Sequence, residues 1–167
     1  MKIIKNLLFI TLTSIFLMSC GEKPETRKYS EYSEFSFNDV TTMYNLEGNH
    51  YYVQFYSETC PHCENTKSSL FDYLDKFKEN KVSTKVYIFN AYSSGSDQGQ
   101  AVRLNFKVKP DGASQESLIE EMNTNKPQTV GETYWFGIPC VYEISDGKYQ
   151  SFLIGSESIK DLYSKLK

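Results

Sequence analysis

The 167-residue sequence lacks the patterns that mark nucleotide-binding, nucleic-acid-binding and metal-cluster proteins. It has no glycine-rich nucleotide motif and no basic stripe, and 21 acidic residues outnumber 18 basic ones. An acidic chain without a basic patch argues against a nucleic-acid partner. The four cysteines include only one C-x-x-C pair, and two histidines offer few further ligands. We therefore expect no metal, and a zinc site is a weak alternative.

The first residues have the layout of an export signal. Two lysines within residues 1–5 precede an apolar run over residues 7–18. That run is shorter than the roughly 20 residues of a comfortable membrane span. The sequence Leu17-Met18-Ser19-Cys20 resembles the lipobox of bacterial lipoproteins. The resemblance implies a signal peptide over 1–19, acyl chains on Cys20 and a membrane-anchored position in the bacterial cell envelope. The alternatives are an ordinary secretory signal and a retained membrane helix.

The mature chain would consist of a tether and one domain. Removal of Lys2 and Lys5 with the signal leaves 16 basic residues against 21 acidic ones, a net charge of −5. Residues 20–35 are mostly polar, contain Pro24 and show no hydrophobic period, which predicts a lipid-anchored tether. Residues 36–167 have the length of a single domain with one core. Export would place this domain where disulfides can persist.

Hydrophobic patterns predict an α/β domain that starts with a β–α–β unit. Residues 36–46 are a predicted first helix, and the aromatic run 50–57 a buried strand. A helical pattern runs from Pro61 to Asn80 and precedes a second strand over 83–90. Two strands joined by a helix are typical of a parallel pair.

The second half of the chain is predicted to add a helix, a hairpin and a last helix. The extra helix covers residues 113–122 and is capped near Ser114. A strand from Cys140 and a returning strand over 149–154 flank Asp146-Gly147, a strong hairpin signal. The last helix begins near Ser156 or Ser158 and carries one apolar face.

The motif Cys60-Pro61-His62-Cys63 stands where a strand ends and a helix begins. Unpaired N–H groups and the positive dipole end of a helix N-terminus stabilise a thiolate on the first cysteine. The thiolate is the reactive form in disulfide exchange. Cys60 is therefore the predicted nucleophile, and Cys63, one turn later, the resolving cysteine. Pro61 fixes the backbone, and His62 can offer Cys60 a hydrogen bond or a positive charge. Both effects favour the reduced pair and make its disulfide a better oxidant.

These residues resemble the thioredoxin superfamily. The Cys-Pro-His-Cys form is similar to that of the Dsb-type periplasmic oxidases, and its flanks resemble thioredoxin-like bacteriocin-transport accessory proteins. Ile138-Pro139 matches the cis-proline loop of the superfamily, which lies beside the cysteines and docks the substrate backbone. The resemblance covers roughly residues 50–167 and implies a thioredoxin-like fold with a central mixed sheet flanked by helices. It implies no cofactor, since the two sulfurs carry the electrons.

Three features depart from that family pattern. Gln54 stands where a buried Asp or Glu is frequent, and an amide cannot accept a proton from Cys63 at neutral pH. The alternative interpretation of Gln54 is a buried amide whose hydrogen bonds are satisfied. The insertion between residues 90 and 139 is long, and its extra helix either covers the site edge for recognition or decorates the fold. Cys140 is either a third reactive thiol or a small buried residue.

The function expected from these features is extracytoplasmic thiol–disulfide exchange on exported proteins, with a partner protein that recycles the cysteine pair. The direction of exchange is left open by the sequence. A first alternative is a non-catalytic accessory module for secretion or bacteriocin export, in which Cys60–Cys63 is a structural staple. A second is a metal chaperone that uses Cys60 and Cys63, with or without Cys140.

Overall fold

The computed structural model of the protein describes residues 25–92 and 102–166. The expected signal peptide over 1–19 and the expected lipidation site at Cys20 lie outside these ranges. Within the described ranges, no helix has both the length and the apolar character needed to span a bilayer.

A mixed four-stranded β-sheet forms the centre of the domain, as the sequence predicted. Its strands, β1 to β4 in chain order, lie in the order β2-β1-β3-β4. β1 pairs in parallel with β2 and antiparallel with β3, and β4 pairs antiparallel with β3. The three α-helices whose bounds follow are named α1 to α3. The elements are β1 (His50–Tyr56), α1 (Pro61–Lys78), β2 (Lys85–Asn90), α2 (Gln115–Asn125), β3 (Cys140–Ser145), β4 (Lys148–Ile154) and α3 (Ser156–Lys165).

Alternating side chains of β1 supply both hydrophobic cores, because successive residues of a strand face opposite sides of the sheet. One face carries Tyr51, Val53 and Phe55 into a core that also holds Leu118 and Met122 of α2. The other face packs against α1 and α3, with Tyr52, Tyr56, Leu70, Leu74 and Ile159 among its buried residues. Helices therefore cover both faces, which completes the expected α/β arrangement.

The helix predicted over residues 36–46 is wrong. The segment contains only a short 3₁₀ turn, Val40–Thr42, whose cap Asp39 accepts the N–H of Thr41 at 2.9 Å. Three consecutive β-branched residues disfavour a regular helix there. The hydroxyl of Tyr51 donates to the carbonyl of Met43 at 2.9 Å, which fixes the segment across the sheet in its irregular form.

The folded domain begins before residue 36, where the sequence placed the end of the tether. The segment Tyr29–Phe35 forms 3₁₀ structure with a kink at Tyr32, whose φ is −121° and ψ 27°. Its three aromatic residues, Tyr29, Tyr32 and Phe35, are buried at a spacing of three, close to the three residues per turn of 3₁₀ structure. The Tyr29 ring stacks on Tyr56 with 3.6 Å between centroids, and Tyr32 stacks on Phe71 of α1 at 4.4 Å. Residues 29–35 therefore pack against β1 and α1.

The hairpin and the extra helix agree closely with the sequence prediction. Asp146 and Gly147 have φ of 50° and 68°, the pair of left-handed residues that a type I′ turn requires. α2 starts directly after Ser114, whose hydroxyl accepts the N–H of Ser117 at 3.1 Å.

Candidate functional site

Cys60 is the N-cap residue of α1. Pro61 occupies the first helical turn, where its missing N–H leaves no donor unsatisfied. The backbone N–H of Cys63 donates to the sulfur of Cys60 at 3.4 Å. The sulfur therefore takes the capping position that a hydroxyl or carboxylate oxygen usually fills, at the positive end of the helix dipole. The sulfur of Cys60 is thus held as a hydrogen-bond acceptor at the N-terminus of α1.

The two sulfurs of the pair have unequal surroundings. Cys60 is partly exposed, whereas Cys63 is 0% exposed. Burial, followed by the hydrogen bond to Cys60, raises the pKa of the Cys63 thiol well above its ordinary value. An external sulfur can reach Cys60, and Cys63 keeps its proton at neutral pH. The geometry thus separates an accessible thiol from a protected one within a single helical turn.

Pro61 and His62 are exposed on the surface of the first turn. The carbonyl of His62 accepts the hydroxyl of Ser156 at 3.0 Å. Tuning of Cys60 by the imidazole of His62 stays a prediction.

The Ile138–Pro139 loop lies at the same end of the sheet as the cysteine pair. The Ile138–Pro139 peptide bond is cis, as the family resemblance implied. Pro139 is buried and Ile138 is half-buried. β3 begins at the next residue, Cys140, which pairs with Phe55 near the end of β1. The loop therefore approaches the site from the strand beside the one that leads to Cys60.

Two residues at the start of α3 join this loop to the cysteine helix. The N–H of Gly155 donates to the carbonyl of Pro139 at 3.3 Å. The hydroxyl of the next residue, Ser156, donates to the carbonyl of His62. Sequence reasoning missed this connection, because neither residue belongs to a motif and Ser156 appeared only as a possible helix start.

Gln54 lies behind Cys63 in a chain of neutral hydrogen bonds. Its amide nitrogen donates to the hydroxyl of Thr66 at 3.2 Å, and Thr66 donates to the carbonyl of Cys63 at 2.9 Å. Its amide oxygen accepts the buried hydroxyl of Tyr163. Gln54 is therefore the satisfied buried amide that the sequence analysis offered as one alternative. Thr66 and Tyr163 were missed, although Thr66 lies one turn after Cys63.

Cys140 is 0% exposed at the start of β3. Burial, with a smaller contribution from the charge of Cys63, raises the pKa of its thiol well above the ordinary value. A buried, protonated thiol reacts slowly with other sulfurs. This favours the interpretation of Cys140 as a small buried residue over its interpretation as a third reactive thiol. Across residues 25–92 and 102–166, no three His, Cys, Asp or Glu side chains are grouped so as to hold a metal ion.

Strand order and motif placement identify the fold. The cysteine pair opens the helix after central strand β1, and the cis-proline directly precedes antiparallel β3. The chain has a thioredoxin-like fold. The finer resemblance to Dsb-type or bacteriocin-accessory lipoproteins stays a prediction.

Comparisons with known proteins return thioredoxins among solved structures. Mitochondrial thioredoxin 3 from Saccharomyces cerevisiae is 12% identical with a TM-score of 0.42, over 78% of this chain and 93% of that one. Thioredoxin from Aeropyrum pernix is 17% identical with a TM-score of 0.37, over 83% of each chain. Oxidised thioredoxin from Plasmodium falciparum is 14% identical with a TM-score of 0.38, over 84% and 93%. No family model and no curated protein matches the chain.

The unequal burial of the three thiols predicts ordered alkylation. In the reduced native protein, iodoacetamide is expected to modify Cys60 at least about tenfold faster than Cys63 or Cys140, because reaction needs an accessible thiolate. Peptide mapping by mass spectrometry after timed quenching measures each rate, and the unfolded protein serves as the control in which all three react alike. Comparable native rates at Cys60 and Cys63 would contradict the assigned asymmetry.

Proposed function

We propose that the protein is a thiol–disulfide oxidoreductase that acts on exported proteins at the outer face of a bacterial membrane. The observation that carries the proposal is the unequal cysteine pair at the start of α1. Cys60 is partly exposed and its sulfur accepts a helix N–H, whereas Cys63 is buried with a raised pKa. An attacking thiol and a retained thiol one turn apart are what a two-step exchange needs.

The proposed exchange proceeds through a mixed disulfide. The Cys60 thiolate attacks one sulfur of a substrate disulfide, forms a new S–S bond and releases the other substrate sulfur as a thiolate, which takes up a proton. Cys63 then loses its proton and attacks the sulfur of Cys60. The Cys60–Cys63 disulfide forms, and the second substrate thiol leaves. The substrate gains two electrons and two protons, and the reverse sequence oxidises a dithiol substrate.

Substrate backbone is proposed to dock at the Ile138–Pro139 loop. The hydrogen bonds through Gly155 and Ser156 hold this loop in a fixed relation to the cysteine helix. Ile138 is the more exposed of the two loop residues and offers an apolar contact beside the entering sulfur. No cofactor takes part in this scheme, and a separate redox protein would return the pair to its starting state.

The neutral hydrogen-bonding groups behind Cys63 affect the rate of the second step, in which Cys63 attacks the sulfur of Cys60. Removal of the Cys63 proton is disfavoured by burial, and Gln54 and Thr66 offer no carboxylate to receive it. We therefore expect release of the mixed disulfide to be slower than its formation. Pro61 and His62 favour the oxidising direction, and the reduction potential of the pair decides between oxidation and reduction of the substrate.

Single cysteine variants test the proposal. The full chain is expected to accelerate reduction of insulin by dithiothreitol or refolding of a reduced, disulfide-containing protein. Cys60→Ser is expected to reduce both rates to the uncatalysed level, because the attacking sulfur is gone, and Cys63→Ser is expected to accumulate mixed disulfide with substrate.

Cys140→Ala is the matched control, since it removes a buried thiol outside the proposed reaction and is expected to keep the activity. Circular dichroism confirms that each variant is folded. Equal rates for the wild type and Cys60→Ser would contradict the proposal and favour the accessory module, in which the pair serves only as a staple.

The position at the membrane is proposed from the lipobox resemblance alone. Two or more acyl chains on Cys20 would give a stable anchor, since each buried CH₂ group contributes about 0.8 kcal/mol. In cell fractionation, the wild-type chain is expected in the membrane fraction. Cys20→Ser is expected to lose incorporation of a labelled fatty acid, and an unchanged label in that variant would contradict the anchor.

A further inference from the structure

The exposed large apolar side chains of the described residues gather in one groove. Tyr92, Leu104 and Val108 are 45%, 80% and 86% exposed, and these three are the strongly exposed large apolar residues in the ranges 25–92 and 102–166. All three line a depression of about 480 Å³, bounded by Tyr92, residues 103, 104 and 106–109, and residues 135–137, which we call the insertion groove. Clustered exposed apolar side chains indicate an interaction site rather than ordinary surface.

The inner wall of the insertion groove is anchored in the protein core. Trp135 lines the groove and is 8% exposed. Its ring centroid lies 5.3 Å from that of Phe55 in β1 and 5.1 Å from that of Phe106, which also lines the groove. The ring centroid of Phe136 lies 4.7 Å from that of Phe152 in β4. A wall of packed aromatic rings is formed before a ligand arrives, which reduces the ordering cost of binding.

The charged side chains that line the groove in the described ranges are all basic. Arg103, Lys107 and Lys109 line it, and no acidic side chain among the described residues does so. Lys107 is paired with Glu121 at 2.6 Å. Arg103 and Lys109 form no ion pair with a described residue. Burial, followed by the positive charge of Arg103, lowers the pKa of Lys109. Two cations without an ion-pair partner among the described residues give the groove a local positive charge that favours an acidic ligand.

The groove adjoins the loop assigned to substrate docking. Gly137 lines the groove and directly precedes Ile138–Pro139. The same loop is tied to the cysteine helix through Gly155 and Ser156. A polypeptide docked at the loop can therefore continue into the groove without leaving the protein surface.

We propose that the insertion groove binds the polypeptide that flanks the reactive cysteine of the substrate, in the form of an extended segment with apolar and acidic side chains. The apolar side chains contact Leu104, Val108 and the aromatic wall, and the acidic ones pair with Arg103 and Lys109. This inference rests on the proposed exchange function and adds to it the chemical class of the substrate. It also gives the long insertion a role in recognition.

The sole tryptophan of the chain, Trp135, makes the proposal directly measurable, because the intrinsic tryptophan fluorescence comes from a residue that lines the groove. The probe is a cysteine-free decapeptide of alternating leucine and aspartate, titrated into the full chain. Two matched peptides replace every aspartate by lysine or every leucine by serine. Saturable binding is expected for the first peptide, with an affinity at least about tenfold higher than for either matched peptide.

Charge reversal on the protein tests the same contacts. Arg103→Glu with Lys109→Glu is expected to weaken binding of the leucine–aspartate peptide by about tenfold or more. The control is Lys76→Glu with Lys148→Glu, which makes the same change in net charge at exposed lysines outside the groove and is expected to bind as the wild type does. Equal weakening in both double variants would overturn the proposal, since it would show a general charge effect.

Binding of a cysteine-free peptide does not depend on the thiols, so the result separates the groove from the exchange reaction. Cys60→Ser is expected to bind the peptide with unchanged affinity even though it cannot exchange disulfides. Absence of saturable binding at millimolar peptide would overturn the groove proposal and leave the exchange proposal standing. A dimer in sedimentation analysis that dissociates on Leu104→Ser with Val108→Ser would also overturn it, because the occupant would then be a second copy of the chain.

Discussion

The site depends on a single contact, the backbone N–H of Cys63 directed at the sulfur of Cys60. This contact makes a sulfur the cap of α1 and places it where the helix dipole favours negative charge. The same turn buries Cys63, so that one sulfur faces solvent and the other faces the core. Strand β1 fixes the start of the helix from one side, and the bridge from Ser156 to His62 fixes it from the other. The two cysteines therefore differ in environment because of where the helix begins.

The interior behind the pair is neutral, which distinguishes this site from one built around a buried carboxylate. Gln54, Thr66 and the carbonyl of Cys63 form a chain of hydrogen bonds without an ionisable acid or base at neutral pH. Such a chain satisfies buried polar groups and holds the helix in place, but it does not accept a proton. In the proposed reaction, the proton of Cys63 must leave by another route, toward the substrate sulfur or toward solvent.

Much of the fold follows from local patterns in the sequence. The aromatic run at residues 50–56, the helix from Pro61 and the Asp146-Gly147 turn each carry a strong local signal, and the structure places all of them within one or two residues of the prediction. The position of Pro139 at the start of β3 could be expected only through the family resemblance, because a proline has no local mark that ties it to a distant cysteine pair.

The remaining features depend on contacts between distant parts of the chain. Tyr29, Tyr32 and Phe35 are spaced among charged residues, and a period of three is easily overlooked beside the helical period of 3.6. Residues 36–46 have helical spacing of apolar residues, but their β-branched run and the hydrogen bond from Tyr51 select an irregular path. The hydrogen bond from Ser156 to His62 joins residues 94 positions apart, and no sequence motif marks it.

The central claim is that Cys60 and Cys63 form a reversible redox pair, and the reduction potential of that pair tests it most directly. The full chain would be equilibrated in glutathione buffers of graded ratio, and the state of each cysteine measured by acid quenching, alkylation and mass spectrometry. We predict a single two-electron transition between the Cys60–Cys63 disulfide and the dithiol, with a midpoint in the range of about −270 to −120 mV covered by known exchange proteins. A pair that never forms a disulfide, or one that resists reduction below about −300 mV as structural disulfides do, would contradict the account.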